Sequence, residues 1–316
     1  MHIFDELNQE NRLPIDLEGI RTFLAIHRAG GFARACQVLH RSQPAISRRI
    51  ALLEDVLGVP LFERGVGGLR LTTAGQVLVP YAEKAVAALQ DCEAAIDGLR
   101  DGRLGRIDLV VVGTLAGSGL TRILQRFVDA HPRVDLKLRT ATSREVSRLV
   151  RSGEATIGLR YHADSSEDLD CEQVATERLV VACRTGHPKL RKRKLKLVDL
   201  AGEAWLVFPD AENRERSSDN LIAQFNTRGH SEIRWTAIDS LTAQKRLVEV
   251  GLGLALLPES AIDEERKAGR IASLRVGDLS AFNPVCLVTR RDGYLSPASR
   301  NLIDLVRRRN MFEESG

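Results

Sequence analysis

Gln43, Ser47 and Arg48 lie on one flank of a segment whose other flank carries Ile46, Ile50, Leu53 and Leu57. Arg pairs with guanine and Gln with adenine through bidentate hydrogen bonds in the major groove, so these side chains suit the reading of base edges. Ser42 precedes them at a helix start, where backbone N–H groups hold phosphate, and Pro44 falls in the first turn, where its missing N–H costs nothing. A second set of polar residues follows strand-like runs and precedes helical ones: Thr114 and Ser118, Thr142 and Ser143, and Ser240. Arg214, Arg216 and Ser217 form a polar loop after Phe208-Pro209. Hydroxyls and free N–H groups at helix N-termini suit anions. Each Ser or Thr taken singly also serves as a plain N-cap.

Patterns for other chemistry are missing. The chain has no GxSxG, HExxH or GxxxxGK[ST], and no GxGxxG following a strand, so no enzyme constellation is expected. The seven histidines lie far apart, so neither metal nor cofactor is expected. Gly251-Leu252-Gly253 leads into a strand and reads as a turn, and the basic run Lys189–Lys196 reads as a solvated loop. Five cysteines, Cys36, Cys92, Cys171, Cys183 and Cys286, include no CxxC, which fits a reducing cytoplasm. Cys171 and Cys183 are a conceivable redox pair. They flank a domain crossing, and buried structural thiols are the reading preferred here.

The elements that must position these residues follow from length and charge. A chain of 316 residues, 43% hydrophobic and 28% charged, is sized for about two packed domains. No apolar run approaches the ~18 residues of a membrane span. The start, Met1-His2-Ile3-Phe4-Asp5-Glu6, has no basic region leading into an apolar one, so a cytoplasmic protein is expected. Net charge is +4, and residues 17–72 hold eight arginines against four acids. The whole excess therefore sits in the N-terminal fifth, and a small basic module on a neutral body suits an acidic polymer.

Within that module Leu17, Ile20, Phe23, Leu24 and Ile26 recur at helical spacing until Gly30-Gly31. A short helix around Phe32, Ala35, Cys36 and Leu39 follows, then a turn at His40-Arg41. Ser42 caps a third helix from Gln43 to about Leu57, ended by Gly58. Two short helices joined by a tight turn describe a helix-turn-helix, and the glycines between Pro60 and Thr72 describe a β-hairpin, or wing. The alternative is a three-helix interaction module with a solvated basic face.

The run Gly31-Phe32 … Ala35-Cys36-Gln37-Val38-Leu39-His40-Arg41-Ser42-Gln43-Pro44-Ala45-Ile46-Ser47-Arg48-Arg49-Ile50 … Leu53-Glu54 … Leu57-Gly58-Val59-Pro60-Leu61-Phe62-Glu63-Arg64 … Leu71-Thr72 … Ala74-Gly75 resembles the winged helix-turn-helix of LysR-type transcriptional regulators. By that resemblance Gln43, Pro44, Ser47 and Arg48 approach DNA. In two places the chain departs from the family pattern. Gly31 stands where a capping serine is usual, and the wing tip Gly65-Val66-Gly67-Gly68 lacks a basic residue often found there. Arg64 and Arg70 are left as wing contacts.

Thr72 and Thr73 can each cap the next helix, and Thr73 with Gln76 forms a capping-box pattern. Its apolar positions Leu78, Tyr81, Ala85, Leu89, Cys92, Ile96 and Leu99 follow near-heptad steps. At ~1.5 Å per residue, Thr73–Asp101 spans roughly 43 Å, too long for a small module to cover. The resemblance implies that this helix pairs with its twin in a homodimer or homotetramer. Pro80 is expected to kink it.

From Arg106 strands alternate with helices, which argues for α/β layers with mostly parallel sheets. The resemblance implies a periplasmic-binding-protein-like body of two Rossmann-like lobes, with Leu179–Ala182 and Val285–Thr289 as crossings. The expected domains are 16–72 (winged helix-turn-helix), 73–105 (linker helix and hinge) and 106–316 (effector-binding). The last divides into lobe I, 106–178 and 289–316, and lobe II, 179–288. An effector, expected to be a small carboxylate or phosphate, then lies between the lobes near Thr114 and Ser143. The expected protein is an effector-controlled regulator of promoter DNA. An enzyme or solute-binding protein on the same fold is the competing reading.

Overall fold

The computed structural model describes residues 15–65, 68–100, 106–208, 221–229 and 233–308. The fold divides into two compact units, one centred on the N-terminal helices and one on a nine-stranded sheet.

The first unit contains α1 (Leu17–Ala29), α2 (Phe32–Leu39), α3 (Gln43–Leu57), β1 (Phe62–Gly65), β2 (Gly68–Leu71) and α4 (Thr73–Arg100). Asp16 caps α1, accepting from the Gly19 N–H at 2.9 Å, and its other oxygen receives Arg49 at 2.6 Å. Gly58 ends α3 at φ +69°, a left-handed conformation that favours glycine. Ile20, Phe23, Leu24, Ile26, Ala35, Ile46, Ile50, Leu53 and Leu61 form the core. The wing is an antiparallel hairpin with Glu63 opposite Arg70 and Arg64 opposite Leu69. Val66 and Gly67 at its tip lie outside the described residues.

Of the two threonines able to cap helix α4, the structure selects the first. Thr72, not Thr73, caps it: its hydroxyl accepts from the Gly75 N–H at 3.1 Å and donates to the Pro60 carbonyl at 2.7 Å. A Cβ on Gly75 would stand 2.3 Å from the Leu61 carbonyl oxygen, so only glycine lets the helix start this close to the wing. Pro80 lies inside the 28-residue helix without ending it.

In the second unit the strands run β3 (Arg106–Val112), β4 (Asp135–Ala141), β5 (Ile157–Tyr161), β6 (Leu169–Arg184), β7 (Trp205–Val207), β8 (Trp235–Ala237), β9 (Leu254–Pro258), β10 (Ile271–Leu274) and β11 (Phe282–Arg290). Their order is β4-β3-β5-β11-β6-β9-β7-β8, with β10 also on β6. The helices used below are α5 (Ser118–Ala130), α6 (Ser143–Arg151), α7 (Leu221–Thr227), α8 (Leu241–Glu249), α9 (Asp263–Lys267) and α10 (Pro297–Arg308).

Two parallel groups, β4-β3-β5 and β9-β7-β8, are joined through antiparallel β11 and β6. The first group is packed by Ile107, Leu109, Val111, Phe127, Leu159, Leu287 and Leu302. The second is packed on one face by Cys183, Leu197, Trp205 and Phe225, and on the other by Ala182, Leu206, Val248 and Leu257. β6 is one crossing, a single 16-residue strand. Its start, with Asp170, Glu172, Gln173 and Glu177 among apolar residues, hid from the apolar pattern that exposed Leu179–Ala182.

Val285–Thr289 lies within β11, the second of the two strands that join the groups. Val285–Val288 pair with β5, and Val285 and Leu287 enter the first group's core.

Candidate functional site

Two sites emerge, one in each unit. In the first, Ser42, Gln43, Pro44, Ser47 and Arg48 are all exposed, while Ile46 and Ile50 of the same helix are buried. α3 therefore buries one face and presents a continuous polar one at its N-terminal end. Ser42 occupies the N-cap position, but its hydroxyl makes no capping bond. Arg49 is set apart from Arg48 by its ion pair to Asp16 and anchors α3 to α1. Glu54, further along α3, accepts from the backbone N–H groups of Leu61 at 2.7 Å and Phe62 at 3.3 Å, tying the wing to the helix. Arg64 and Arg70 are exposed on the two wing strands.

Along α4, Tyr81, Ala85, Leu89, Cys92 and Ile96 are exposed, with Tyr81 at 67%, Leu89 at 42% and Ile96 at 49%. Large apolar side chains at these exposures on one helix form an uncovered stripe. Leu78 differs: it packs against the core of its own unit.

In the second unit the predicted residues separate. Thr142 is exposed and forms a capping box: its N–H and hydroxyl both donate to the Glu145 carboxylate, at 3.0 and 3.1 Å. Ser240 is exposed and accepts from the Ala243 N–H at 3.3 Å, capping α8. The plain capping role accounts for both. Ser217, with Arg214 and Arg216, lies outside the described residues, as does the side chain of Ser118.

Thr114 and Ser143 do converge, and Tyr161 at the carboxyl end of β5 brings them together. The Ser143 hydroxyl accepts from the Tyr161 N–H at 3.3 Å. The Tyr161 phenol donates to Glu177 on β6 at 2.5 Å, and so accepts from the Thr114 hydroxyl at 2.7 Å. Asn283 at the start of β11 lies beside the phenol and pulls its titration downward. The other Glu177 oxygen accepts from Ser260, which follows β9, at 3.2 Å. One polar chain thus links the ends of β3, β4 and β5, the crossing strand, and the segment after β9. In open α/β sheets this is where ligands bind, outside the carboxyl ends of the strands.

Burial dominates the electrostatics of this chain. The Glu177 carboxyl, 2% exposed, is pushed up to about 7 by burial, although hydrogen bonds from Tyr161 and Ser260 pull the other way. The Tyr161 phenol is held well above its usual range by burial and by the Glu177 charge. Near neutral pH Glu177 therefore alternates between donor and acceptor. Tyr161, Glu177, Ser260 and Asn283 were missed in the sequence because no local spacing joins them. The available signal was Tyr161 itself, a rare aromatic ending a predicted parallel strand.

Among the described residues no group of His, Cys, Asp and Glu could hold a metal ion, and no helix is long and apolar enough to cross a membrane.

Known proteins match along nearly the whole length. Residues 17–76 match the family described as bacterial regulatory helix-turn-helix protein, lysR family, and residues 100–310 match the LysR substrate binding domain. The transcriptional regulator TfdS of Cupriavidus pinatubonensis is 30% identical over 298 residues, covering 93% of this chain and 98% of its own. A probable RuBisCO transcriptional regulator of Thalassiosira pseudonana is 25% identical, covering 90% and 95%. Among solved structures, the LysR family regulator CbnR covers 93% of this chain and 99% of its own at 24% identity. Its TM-score is 0.64 alone and 0.62 in complex with target DNA, a likeness of fold.

Proposed function

The chain belongs to the LysR family of transcriptional regulators, and from that premise we propose which residues read DNA, which pair two copies and which receive the effector. It is a DNA-binding regulator with an effector-binding domain, and its relatives are regulators, not enzymes. Gln43, Ser47 and Arg48 read base edges from the exposed face of α3. Ser42 and the N-terminus of α3 hold a backbone phosphate, beside Pro44. Arg64 and Arg70 of the wing neutralise phosphates. The exposed row Tyr81, Ala85, Leu89, Cys92 and Ile96 pairs with the same row of a second copy. This makes a dimer that engages two half-sites, and two dimers make a tetramer. A cytoplasmic location follows from that work.

The effector lies where Thr114, Ser143, Tyr161, Glu177 and Ser260 meet. Its anionic group is received at the Thr114 and Ser143 helix starts. Its end nearest Glu177 carries a hydrogen-bond donor, since a buried carboxyl receives one best. Binding favours one arrangement of the two halves of the body over another, which requires different affinity for the two states.

The observation that carries this reading is the split face of α3, apolar side buried and Gln43, Ser47 and Arg48 exposed. The test uses purified full-length protein and a labelled fragment from upstream of its own gene. A discrete shift that weakens steeply with salt, and far exceeds that on random DNA of equal length, is expected. Equal affinity for both fragments overturns the reading. A metabolite screen by thermal stabilisation then identifies the effector, because a ligand at 100 times its Kd adds about 2.7 kcal/mol.

A further inference from the structure

Cys171 on β6 and Cys286 on β11 sit in adjacent antiparallel strands. Cys171 is opposite Val288 and Cys286 is opposite Gln173. Residues two apart on a strand share a face, so the two thiols are diagonal neighbours on one face. The register shifts between Val285 and Cys286, an irregularity that re-aims side chains. The Cys286 thiol, beside the Cys171 sulfur, is the largest influence holding the Cys171 thiol down.

The Cys171 sulfur has further support. The Asp164 N–H donates to it at 3.3 Å. The Arg160 guanidinium adds positive charge nearby, opposed by the Asp164 carboxylate. Arg160 is fixed by Ser147 at 2.7 Å and by Asp164 at 2.5 Å. Together these hold the Cys171 thiol down at about 6, while Cys171 and burial push the Cys286 thiol up. Cys171 is partly exposed and Cys286 is buried. The pair is therefore asymmetric, an accessible thiolate backed by a protonated thiol. Cys183, the sequence's suggested partner for Cys171, lies in the core beside Trp205 and Phe225, and burial pushes it up to about 12.

We infer that Cys171 and Cys286 form an oxidation-sensitive dithiol whose oxidant is a peroxide. The Cys171 thiolate attacks one peroxide oxygen, the O–O bond breaks, and the departing hydroxide becomes water by taking up the proton that Cys171 released to solvent on ionising. Cys171 is then a sulfenic acid. The Cys286 sulfur attacks it, the S–S bond forms, the S–O bond breaks, and the oxygen leaves as water with the Cys286 proton. Two thiols lose two electrons, and one hydrogen peroxide becomes two waters. The new bond ties β6 to β11, the two strands that join the halves of the sheet.

The experiment uses full-length protein with C36S and C92S, so that no exposed competitor remains. Equimolar hydrogen peroxide on the reduced protein is expected to link the peptides carrying Cys171 and Cys286 and to remove two thiols. In C286S, and in C286A should serine disturb that buried site, dimedone is expected to trap a sulfenic acid on Cys171. In C171S neither product forms. With Cys92 restored, iodoacetamide at pH 7 should alkylate Cys171 about tenfold faster than Cys92. Folded protein that yields no Cys171–Cys286 link, or alkylation of Cys171 no faster than Cys92, overturns the inference.

Discussion

The face of α3 and the Tyr161–Glu177 chain are built in opposite ways. The residues of the first, Ser42 to Arg48, are nearly consecutive, exposed, and held by the core on the other side of one helix. The residues of the second come from positions 114, 143, 161, 177, 260 and 283, and the central Glu177 is buried. A surface that meets a rigid polyanion needs only local order and charge. A site that closes on a small molecule needs groups from several elements whose protonation and bonding respond to what enters.

Four measurements break or sharpen that contrast. The largest effect is expected from Leu89→Glu, which puts a charge in the exposed apolar row of α4. Losing the second half-site should lower operator affinity by roughly 10²–10⁴ and halve the mass in sedimentation. Effector affinity should be unchanged. An unaltered oligomer would move the interface elsewhere.

Glu177→Gln tests the buried site. Its carboxyl holds its proton to about pH 7 when folded, but only to the usual carboxylate range when unfolded. The folded state thus binds more protons between these values, and stability falls as pH rises from about 5 to 7.5. The glutamine variant should lose this slope, which amounts to at most roughly 3 kcal/mol. Denaturant titrations across that range decide, and an identical slope in both proteins would show that Glu177 does not titrate there.

Arg48→Ala should cost about 1–3 kcal/mol at the operator and relax preference at one base pair. Arg64→Ala should weaken all sequences alike and lower the salt slope. Equal loss for Arg48→Ala on random DNA would make Arg48 a phosphate contact. The smallest effect is Thr142→Val, which removes a cap worth about 1 kcal/mol and leaves effector affinity intact. Thr114→Val should reduce effector affinity. A reversed outcome for this pair would exchange their roles.

The contrast also governs how far the sequence could be read. In the N-terminal unit the 3.6-residue pattern, the glycine at 58 and the wing glycines mark the elements directly, because the contacts that matter are close along the chain. The packing reason for Gly75 was not legible, because it is the carbonyl of Leu61, just before β1. In the body, Thr114 and Ser143 were found by their place after strands. By the same rule Thr142 and Ser240 were found, yet they cap helices, since a hydroxyl before a helix serves either purpose. Leu78 fits the heptad steps but turns to its own core, because the base of a long helix has a module to lean on. Glu177 and Cys286 gained their meaning only from register, which no periodicity reports.

Strand β11 lies between β5 and β6 although it is the last strand in the chain. During synthesis the N-terminal unit's helices and wing are complete long before β11 leaves the ribosome. At ~5–20 residues per second, the stretch from about residue 100 to 290 takes roughly 10–40 s. In the later part of that interval, once β6 has emerged, β5 and the polar half of β6 have no partner for their inner edges. A nascent chain thus carries a finished DNA reader and an open sheet at once. Truncated products that end before Phe282 are accordingly DNA-binding species with unpaired strand edges, prone to aggregate.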